Sequence, residues 1–226
     1  MVDSQPPDLE APVIENRIDA LKMEFLQPVL PPSGVAVEVG CGSARLLARI
    51  GLASRLSLIA VDTSQEALKV AALTAEKTGL EMEFRKADAR SLPLPASSVD
   101  LVLSGGLLEH FPDPEPVLHE MVRVLKPGGI FYADVVPRKF SLYRLRELGR
   151  MIRSPYMLPG VFESGLGPAY YRRTLADLGC QDIVVRSCGV YPGFGSRRLL
   201  PLTKWLDGTM IADLLGWYFM IRGRKR

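Results

Sequence analysis

Val35-Ala-Val-Glu-Val-Gly-Cys-Gly-Ser-Ala-Arg-Leu-Leu-Ala-Arg-Ile50 begins as an apolar strand-like stretch, breaks at two glycines and resumes with helical spacing. Glycine lets a backbone turn sharply and lets a ligand approach closely. A glycine pair between a buried strand and a helix often marks a nucleotide pocket, because the helix N-terminus offers free amides to the ligand. The stretch therefore predicts a strand, a tight loop and a helix that together hold a nucleotide.

The spacing within this loop disfavours a dinucleotide. The dinucleotide fingerprint is Gly-x-Gly-x-x-Gly, but counting from Gly40 the sixth position is Arg45. The loop offers instead an acidic residue, Glu38, two positions before the first glycine, and the small Ala44 two positions after Gly42. Glu38 can accept hydrogen bonds from a cationic amino-acid moiety or from the amides of its own loop, and both interpretations stay open.

Composition indicates one globular domain. The chain has 226 residues, of which 47% are hydrophobic and 23% charged, with a formal net charge of +3. The basic run Arg222–Arg226 is interpreted first as a solvated tail, with contact to nucleic acid or anionic lipid as the alternative. Three scattered cysteines, Cys41, Cys180 and Cys188, are too few for a disulfide framework or a zinc cluster. Because the N-terminus also lacks the pattern of a signal peptide, we expect a reducing, cytoplasmic compartment.

Hydrophobic periodicity alternates between strand and helix along the chain. Strands are expected at Gly34–Val39, Leu56–Val61, Glu81–Lys86, Val99–Ser104, Ile130–Val136, Asp182–Ser187 and Trp217–Arg222. Helices are expected near residues 14–26, after the glycine loop, and at Ser64–Gly79, Pro114–Leu125 and Ala169–Leu178. This order predicts an α/β fold with a parallel sheet between two layers of helices and a ligand at the carboxyl ends of the strands. The proline-rich residues 1–12 predict a flexible arm before one domain over 13–226, with an inserted lid at about 138–168.

Two aspartates follow predicted strands and are candidate ligand contacts. Asp62, 20 residues beyond Gly42, can take both hydroxyls of a ribose, with the alternative that it caps the next helix. Asp88 follows the third strand and can accept a hydrogen bond from an adenine amino group, although an aspartate in an Asx-turn is the common alternative.

Taken together, these motifs resemble one family. They are Glu38-x-Gly40-x-Gly42, Asp62 at the end of the second strand, Asp88 between two alanines, and Leu125-Lys-Pro-Gly-Gly129 before the fifth strand. Their order and spacing resemble those of the class I S-adenosylmethionine-dependent methyltransferases, in the branch that includes small-molecule and quinone methyltransferases. The resemblance covers roughly residues 31–136, and Ala44 departs from the glycine that the family often has there.

The resemblance implies a Rossmann-like, seven-stranded, mostly parallel sheet whose last strand is antiparallel. It also implies a set of residues that contact S-adenosylmethionine and its product, S-adenosylhomocysteine. Glu38, Gly40, Cys41 and Gly42 would lie at the methionine portion, Asp62 and Thr63 at the ribose, Asp88 and Ala89 at the adenine, and Ser104 and Gly105 beneath the sulfonium.

Catalysis in such an enzyme is chiefly a matter of position, since the sulfonium methyl is already activated. A base is needed only for an acceptor that loses a proton, and His110, beside Glu109, is the candidate, with the alternative that it only buttresses the loop. The expected acceptor contacts are Glu109, His110, Tyr170, Tyr171 and Arg172. His119, in the middle of a predicted surface helix, is expected to face solvent.

Absent motifs narrow the acceptor. The sequence has neither the Asn/Asp-Pro-Pro-aromatic motif used for planar amino groups nor the Pro-Cys pair of cytosine methylation, so nucleic acid is disfavoured as a partner. We expect methyl transfer to an oxygen or carbon, with nitrogen disfavoured, of a small and partly apolar molecule. No metal is implied, because ligands do not cluster in the sequence. Oligomeric state stays open.

Other functions remain as alternatives. The chain could bind the nucleoside as a sensor or partner subunit without turnover. An NAD-dependent oxidoreductase is disfavoured by Arg45 and by the lack of a Tyr-x-x-x-Lys pair. The basic amphipathic stretch Lys139–Arg153 and the apolar stretch Leu199–Ile221 are interpreted first as core-covering segments and second as contacts with a membrane surface.

Overall fold

The computed structural model describes residues 13–138, 162–190 and 205–226, with side chains from Ile18 onward. The predicted arm and all but the ends of the predicted lid lie outside these residues. The described strands are β1 Ser33–Val39, β2 Arg55–Asp62, β3 Met82–Lys86, β4 Val99–Gly105, β5 Leu125–Val135, β6 Cys180–Cys188 and β7 Tyr218–Lys225. They form one sheet in the order β3-β2-β1-β4-β5-β7-β6, in which β7 runs antiparallel to both of its neighbours and the other pairs are parallel.

Helices cover both faces of the sheet. They are α1 Val13–Leu26, α2 Arg45–Ala53, α3 Gln65–Thr78, α4 Glu115–Val124, α5 Pro168–Asp177 and α6 Met210–Leu215, with short 3-10 turns at Gln27–Val29 and Leu108–His110. Helices α1, α2 and α3 pack on one face, and α4 and α5 on the other. The α/β architecture that the sequence predicted is thereby confirmed, because only a sheet buried on both faces accommodates strands that are apolar on both sides.

Strand β1 shows how the alternation of side chains creates the site. Val37 and Val39 point into the core formed with α4, whereas Ala36 points into the core formed with α1 and α2. Glu38 has the same parity as Ala36, so the pleat turns its carboxyl group toward the α1 and α2 face, where it is buried. The strand therefore delivers an acidic group, at its end, into the layer between the sheet and helices α1 and α2.

Three features differ from the sequence prediction. The basic run Arg222–Arg226 is not a solvated tail, because Arg222 and Arg224 belong to β7 and pair with Tyr132 and Ile130 of β5. The Lys126–Gly129 turn does not precede the fifth strand but bulges within it, since β5 already pairs at Leu125 with Val99 and pairs again from Ile130. Helix α6 was not predicted, because six residues are too few for a periodic signal. None of the helices that the described ranges contain is long and apolar enough to cross a bilayer.

Candidate functional site

The register of the sheet brings the predicted residues to one edge, which we call the carboxyl edge. Glu38 of β1 pairs with Ala60 of β2, whose next residues lead to Asp62. Gly105 of β4 pairs with Asp134 of β5 at the same level. Since parallel strands end on the same side, the connections after β1, β2, β4 and β5 face one another there.

The glycine loop that follows β1 is anchored to the neighbouring strand. The amides of Gly40 and Cys41 both donate to the carbonyl of Val61, at 2.8 and 3.0 Å. Gly40 has a positive φ of 68°, and a Cβ added there would lie 2.8 Å from Leu107 Cδ1. Gly42, with a φ of 50°, is different, because a Cβ added there would meet nothing within 4 Å. The loop therefore opens onto free space at Gly42, as a ligand-binding loop requires.

Ala44 takes the left-handed conformation that glycine favours. Its φ is 53° and ψ 29°, and its methyl group is fully buried at the start of α2. An alanine in this region of φ/ψ space costs roughly 1–2 kcal/mol. The departure from the family pattern is thus accommodated by strain, and the turn keeps its shape.

Asp62 holds the loop and the next helix at once. Its Oδ2 accepts from the amide of Gly42 at 3.0 Å, and its Oδ1 accepts from the amide of Ser64 at 2.9 Å. The cap of α3 is Ser64, whose Oγ accepts from the amide of Ala67. Each carboxylate oxygen can accept more than one hydrogen bond, so Asp62 keeps capacity for a ribose hydroxyl while it fixes the loop. Thr63, beside it, is exposed.

Glu38 is a buried carboxyl group with one hydrogen-bond donor recorded on it. Its Oε2 accepts from the amide of Leu47 at 3.3 Å, in the first turn of α2. Burial raises the pKa of Glu38 to about 8, because the charged form loses its hydration. The carboxyl group therefore pins the loop to α2, and a positively charged ligand group placed beside it would stabilise the charged form that burial disfavours.

Sequence reasoning missed a buried ionic cluster beside Glu38. Lys22 of α1 lies 2.9 Å from Asp134 Oδ2, and Asp19, one turn earlier, lies 3.5 Å from Arg45 and 3.6 Å from Arg49. Burial acts to lower the pKa of Lys22, but the surrounding carboxylates outweigh it and the pKa is raised. The signals were present, since Asp134 is the lone acidic residue of an apolar strand, and Asp19 and Lys22 interrupt the apolar stripe of α1.

This cluster reaches the end of β4. A Cβ added to Gly105 would lie 3.1 Å from Asp134 Oδ2 and 3.5 Å from Lys22 Nζ. Tyr132 also donates its hydroxyl to Asp134 Oδ2, at 3.3 Å. The carboxyl edge at β1, β4 and β5 is therefore lined by paired charges that the absence of a side chain at Gly105 makes room for.

Asp88 adopts the arrangement that the sequence analysis gave as its alternative. Its Oδ1 accepts from the amide of Arg90 at 2.8 Å in an Asx-turn, and its Oδ2 lies 2.6 Å from the Arg90 guanidinium. These hydrogen bonds from Arg90 lower the pKa of Asp88 to about 2. Ala89 is buried. A contact of Asp88 with adenine stays a prediction.

Buried polar side chains with few hydrogen-bond partners occur on β4 and in the segments that follow it. Among the described residues, no hydrogen-bond partner is found for Ser104 Oγ or Glu109 Oε2, the hydroxyl groups of Ser164 and Tyr171 lie close enough to interact with each other, and all four residues are buried. The amide of Ser164 donates to the carbonyl of Glu109 at 2.7 Å, which joins two of them directly. Buried polar groups are normally satisfied, so this group is suited to a polar ligand.

Glu109 is the acidic member of that group. Its Oε1 accepts from the amide of Val136 at 3.2 Å, and a Cβ added to Gly106 would lie 3.7 Å from the same oxygen. Burial raises the pKa of Glu109 to about 7. A carboxyl group that titrates near neutrality at the end of β4 can take a proton from an acceptor.

The remaining predicted acceptor residues differ in exposure. His110 is exposed, and its Nδ1 lies 2.9 Å from the carbonyl of Phe162, which leaves Nε2 as the proton acceptor when Nδ1 donates. Tyr171 is buried against Phe219. Tyr170 is half-buried, with its ring edge-on to that of Tyr171, and Arg172 is exposed. His119 is exposed on α4, as the sequence predicted.

A cavity of about 460 Å³ lies on the opposite edge of the sheet. It is lined by Pro32, Asp100, Gly129 and neighbouring residues near the amino ends of β1, β4 and β5. It is therefore separate from the glycine loop. Within the described ranges, no three histidine, cysteine or acidic residues are grouped so that they could hold a metal ion.

The glycine loop, the acidic residues at the ends of the first strands and the sheet order define a class. A family model described as a methyltransferase domain matches residues 37–133, and the described strands and helices have the arrangement found in solved S-adenosylmethionine-dependent methyltransferases.

Among curated proteins, the chain is similar to enzymes named ubiquinone biosynthesis O-methyltransferase. It is 30% identical to that of Xanthomonas axonopodis pv. citri over 139 residues, which cover 59% of this chain and 56% of the relative. It is 31% identical to that of Caulobacter vibrioides over 131 residues, covering 56% and 50%. The chain thus spans about half the length of these relatives.

Solved structures share the fold at lower identity. Geranyl diphosphate methyltransferase in complex with S-adenosylmethionine has a TM-score of 0.66 at 15% identity, covering 93% of this chain and 87% of that one. The 4+2 cyclase SpnF has a TM-score of 0.63 at 21% identity, covering 92% and 81%. Because a methyltransferase and a cyclase both match, the fold by itself does not fix the reaction.

Proposed function

We propose that this chain transfers the methyl group of S-adenosylmethionine to an oxygen or carbon, with nitrogen disfavoured, of a small lipophilic acceptor. One observation carries the proposal: a buried carboxyl group, Glu38, lies directly before a glycine loop that opens onto free space at Gly42. That arrangement suits a cofactor whose amino-acid end is cationic at the amine. The names of the similar curated proteins support an oxygen acceptor on a small lipophilic molecule.

The residues present fit this cofactor. Glu38 is positioned to receive the α-ammonium group, and Lys22, which has two donors left beyond Asp134, to receive the α-carboxylate. Asp62 would accept from the ribose hydroxyls, and Ala89 would lie against the adenine. When bound, the cofactor supplies an activated methyl group on a sulfonium. The chain's own residues orient it and exclude water, and the buried thiol of Cys41, whose pKa burial raises to about 12, takes no part as a nucleophile.

For a hydroxyl acceptor, a base receives the proton. A carbon–oxygen bond forms, the carbon–sulfur bond breaks, and the hydroxyl proton passes to Glu109 or to Nε2 of His110. Glu109 is favoured because it is buried beside Gly106, whereas His110 is exposed. Tyr171 and Ser164 would hold the acceptor oxygen through their hydroxyls. A lipophilic acceptor also implies contact with a membrane surface from which it is taken.

Calorimetric titration with S-adenosylhomocysteine tests the cofactor. We expect micromolar binding that Asp62→Ala weakens by about 1.5–3 kcal/mol, the range for a hydrogen bond to a charged group, with NADH as a non-binding control. Glu38→Gln should weaken S-adenosylhomocysteine but leave 5′-methylthioadenosine, which lacks the amino-acid end, unchanged. No binding by folded wild-type protein would refute the proposal.

Turnover separates an enzyme from a binding subunit of the same fold. Labelled S-adenosylmethionine should transfer its methyl group to members of a panel of apolar phenols and enolisable ketones. Cofactor binding without any labelled product across that panel and matched amines would favour the non-catalytic alternative.

A further inference from the structure

Four large apolar side chains are exposed within ten residues of the second half of the chain. They are Trp205, Met210, Ile211 and Leu214, which are 77%, 86%, 46% and 70% exposed, and we call them the apolar surface. Single exposed apolar residues are ordinary on a protein surface, but a contiguous group marks a site of interaction.

The apolar surface lies on the carboxyl edge of the sheet. Phe219 of β7 pairs both with Val135 at the end of β5 and with Ser187 at the end of β6. The connection from β6 to β7 therefore starts and finishes at the edge that carries the glycine loop. The amide of Gly208 donates to the carbonyl of Ser187 at 2.8 Å, and the amide of Gly189 donates to Asp207 at 3.0 Å. These bonds fix the turn that bears Trp205 against the end of β6.

Helix α6 presents the other three side chains. Thr209 caps it, with Oγ1 accepting from the amide of Ala212 at 3.4 Å, and Ala212 is fully buried where α6 packs on β6. Because the buried side of this short helix is occupied by Ala212, Met210, Ile211 and Leu214 remain on its outer sides.

Charge indicates which partner this surface meets. Lys204 adjoins Trp205 in the sequence, and Arg186 of β6 lies against Gly208, in the turn that bears Trp205. The carboxyl group of Asp207 is turned inward and buried, so Asp213 is the one exposed acid of the described stretch 205–215. Basic residues next to a tryptophan and aliphatic side chains suit the boundary between anionic headgroups and acyl chains.

We propose that the apolar surface docks on an anionic phospholipid bilayer and so brings the carboxyl edge to the source of a lipophilic acceptor. This docking rests on the membrane contact proposed above and identifies the residues that make it. A second copy of the chain fits less well, because the four side chains offer roughly 500 Å², below the ~800 Å² per partner of a stable interface. Interfacial docking needs only a few inserted side chains.

Vesicle flotation of the full chain, without cofactor, tests the docking. The vesicles are phosphatidylcholine, alone or mixed with phosphatidylglycerol. We expect binding to the mixed vesicles that Met210→Ser with Leu214→Ser weakens by about tenfold or more. The matched control is Leu73→Ser with Val70→Ser on α3, where the side chains are 55% and 47% exposed, and binding there should be unchanged.

Tryptophan quenching locates the contact. The chain has two tryptophans, and brominated lipids should quench fluorescence in Trp217→Phe but not in Trp205→Phe. The proposal is overturned by equal binding of both double variants, by quenching of Trp217 instead, or by a dimer that light scattering shows to dissociate on Met210→Ser. Since S-adenosylhomocysteine binding is measured separately, loss of docking leaves the cofactor proposal standing, and the reverse also holds.

Discussion

Replacing Lys22 by methionine should destabilise the fold strongly. Lys22 Nζ lies 2.9 Å from Asp134 Oδ2, and the two side chains are 14% and 6% exposed. Methionine keeps the volume and the apolar stem but removes the charge. Because Asp134 would then be left buried and uncompensated near Glu38 and Asp19, we expect a loss of about 3–5 kcal/mol in the free energy of unfolding.

Urea denaturation of five proteins measures this loss and assigns its cause. Adding Asp134→Asn to Lys22→Met removes the unpaired charge, so the double variant should lose at least about 1.5 kcal/mol less than the sum of the single variants. Lys69→Met, at an exposed position of α3, is the matched control and should stay within about 0.5 kcal/mol of wild type. Two results would refute the conclusion that Lys22 compensates the buried charge of Asp134: a loss below about 1 kcal/mol for Lys22→Met, or strict additivity in the double variant.

Three further outcomes follow from the geometry of the carboxyl edge. Because burial raises the pKa of Glu38 to about 8, above its ordinary 4.5, the folded protein holds a proton that the unfolded chain releases. The free energy of unfolding of the wild type should therefore fall by up to about 4 kcal/mol between pH 5 and 8. Urea titrations across this range should show a smaller fall for Glu38→Gln. An equal fall in the variant would contradict the raised pKa of Glu38. Gly42→Ala should cost about 1 kcal/mol of folding stability, because of its positive φ, and should abolish S-adenosylhomocysteine binding. Gly40→Ala, whose added methyl group collides with Leu107, should cost about 2–3 kcal/mol of folding stability. If the two variants had equal effects on binding and on stability, the loop would not be open at Gly42. In methyl transfer to a phenol, the wild-type rate should rise with pH through about 7, and this rise should be absent in Glu109→Gln. If the rise is absent in His110→Ala instead, His110 is the base.

Hydrophobic periodicity in the sequence predicted most of the strands and helices. The strands around Val37, Val102 and Phe131 are apolar on both faces, and only a sheet covered by helices on both sides buries such strands. The elements that hydrophobic periodicity did not predict are short or depend on pairing with another strand. Helix α6 has six residues, and the Lys126–Gly129 bulge is set by pairing with β4 rather than by its own turn sequence.

The site was predictable where one segment carries several of its residues. The loop from Glu38 to Gly42 is contiguous, and Asp62 follows it at a fixed distance in the chain. The ionic cluster could not be predicted from the sequence, because Lys22 and Asp134 are more than a hundred residues apart. They meet only when α1 packs over the ends of β4 and β5. Their partner choice depends on tertiary packing, which no window of sequence records.

The sheet order explains why the glycine loop and the apolar surface share an edge. With β7 reversed between β5 and β6, the chain leaves β6 at the carboxyl edge and enters β7 there, so the connection bearing Trp205 and Leu214 lies with the glycine loop. Had β7 run parallel, that connection would have had to cross to the other edge, beside the Lys126–Gly129 bulge. The reversed strand thus places Glu38 of β1 and, beyond β4 and β5, the apolar surface on one edge. Under the proposed function, a water-soluble methyl donor and an acceptor presented from lipid would then reach the same edge without either crossing the protein.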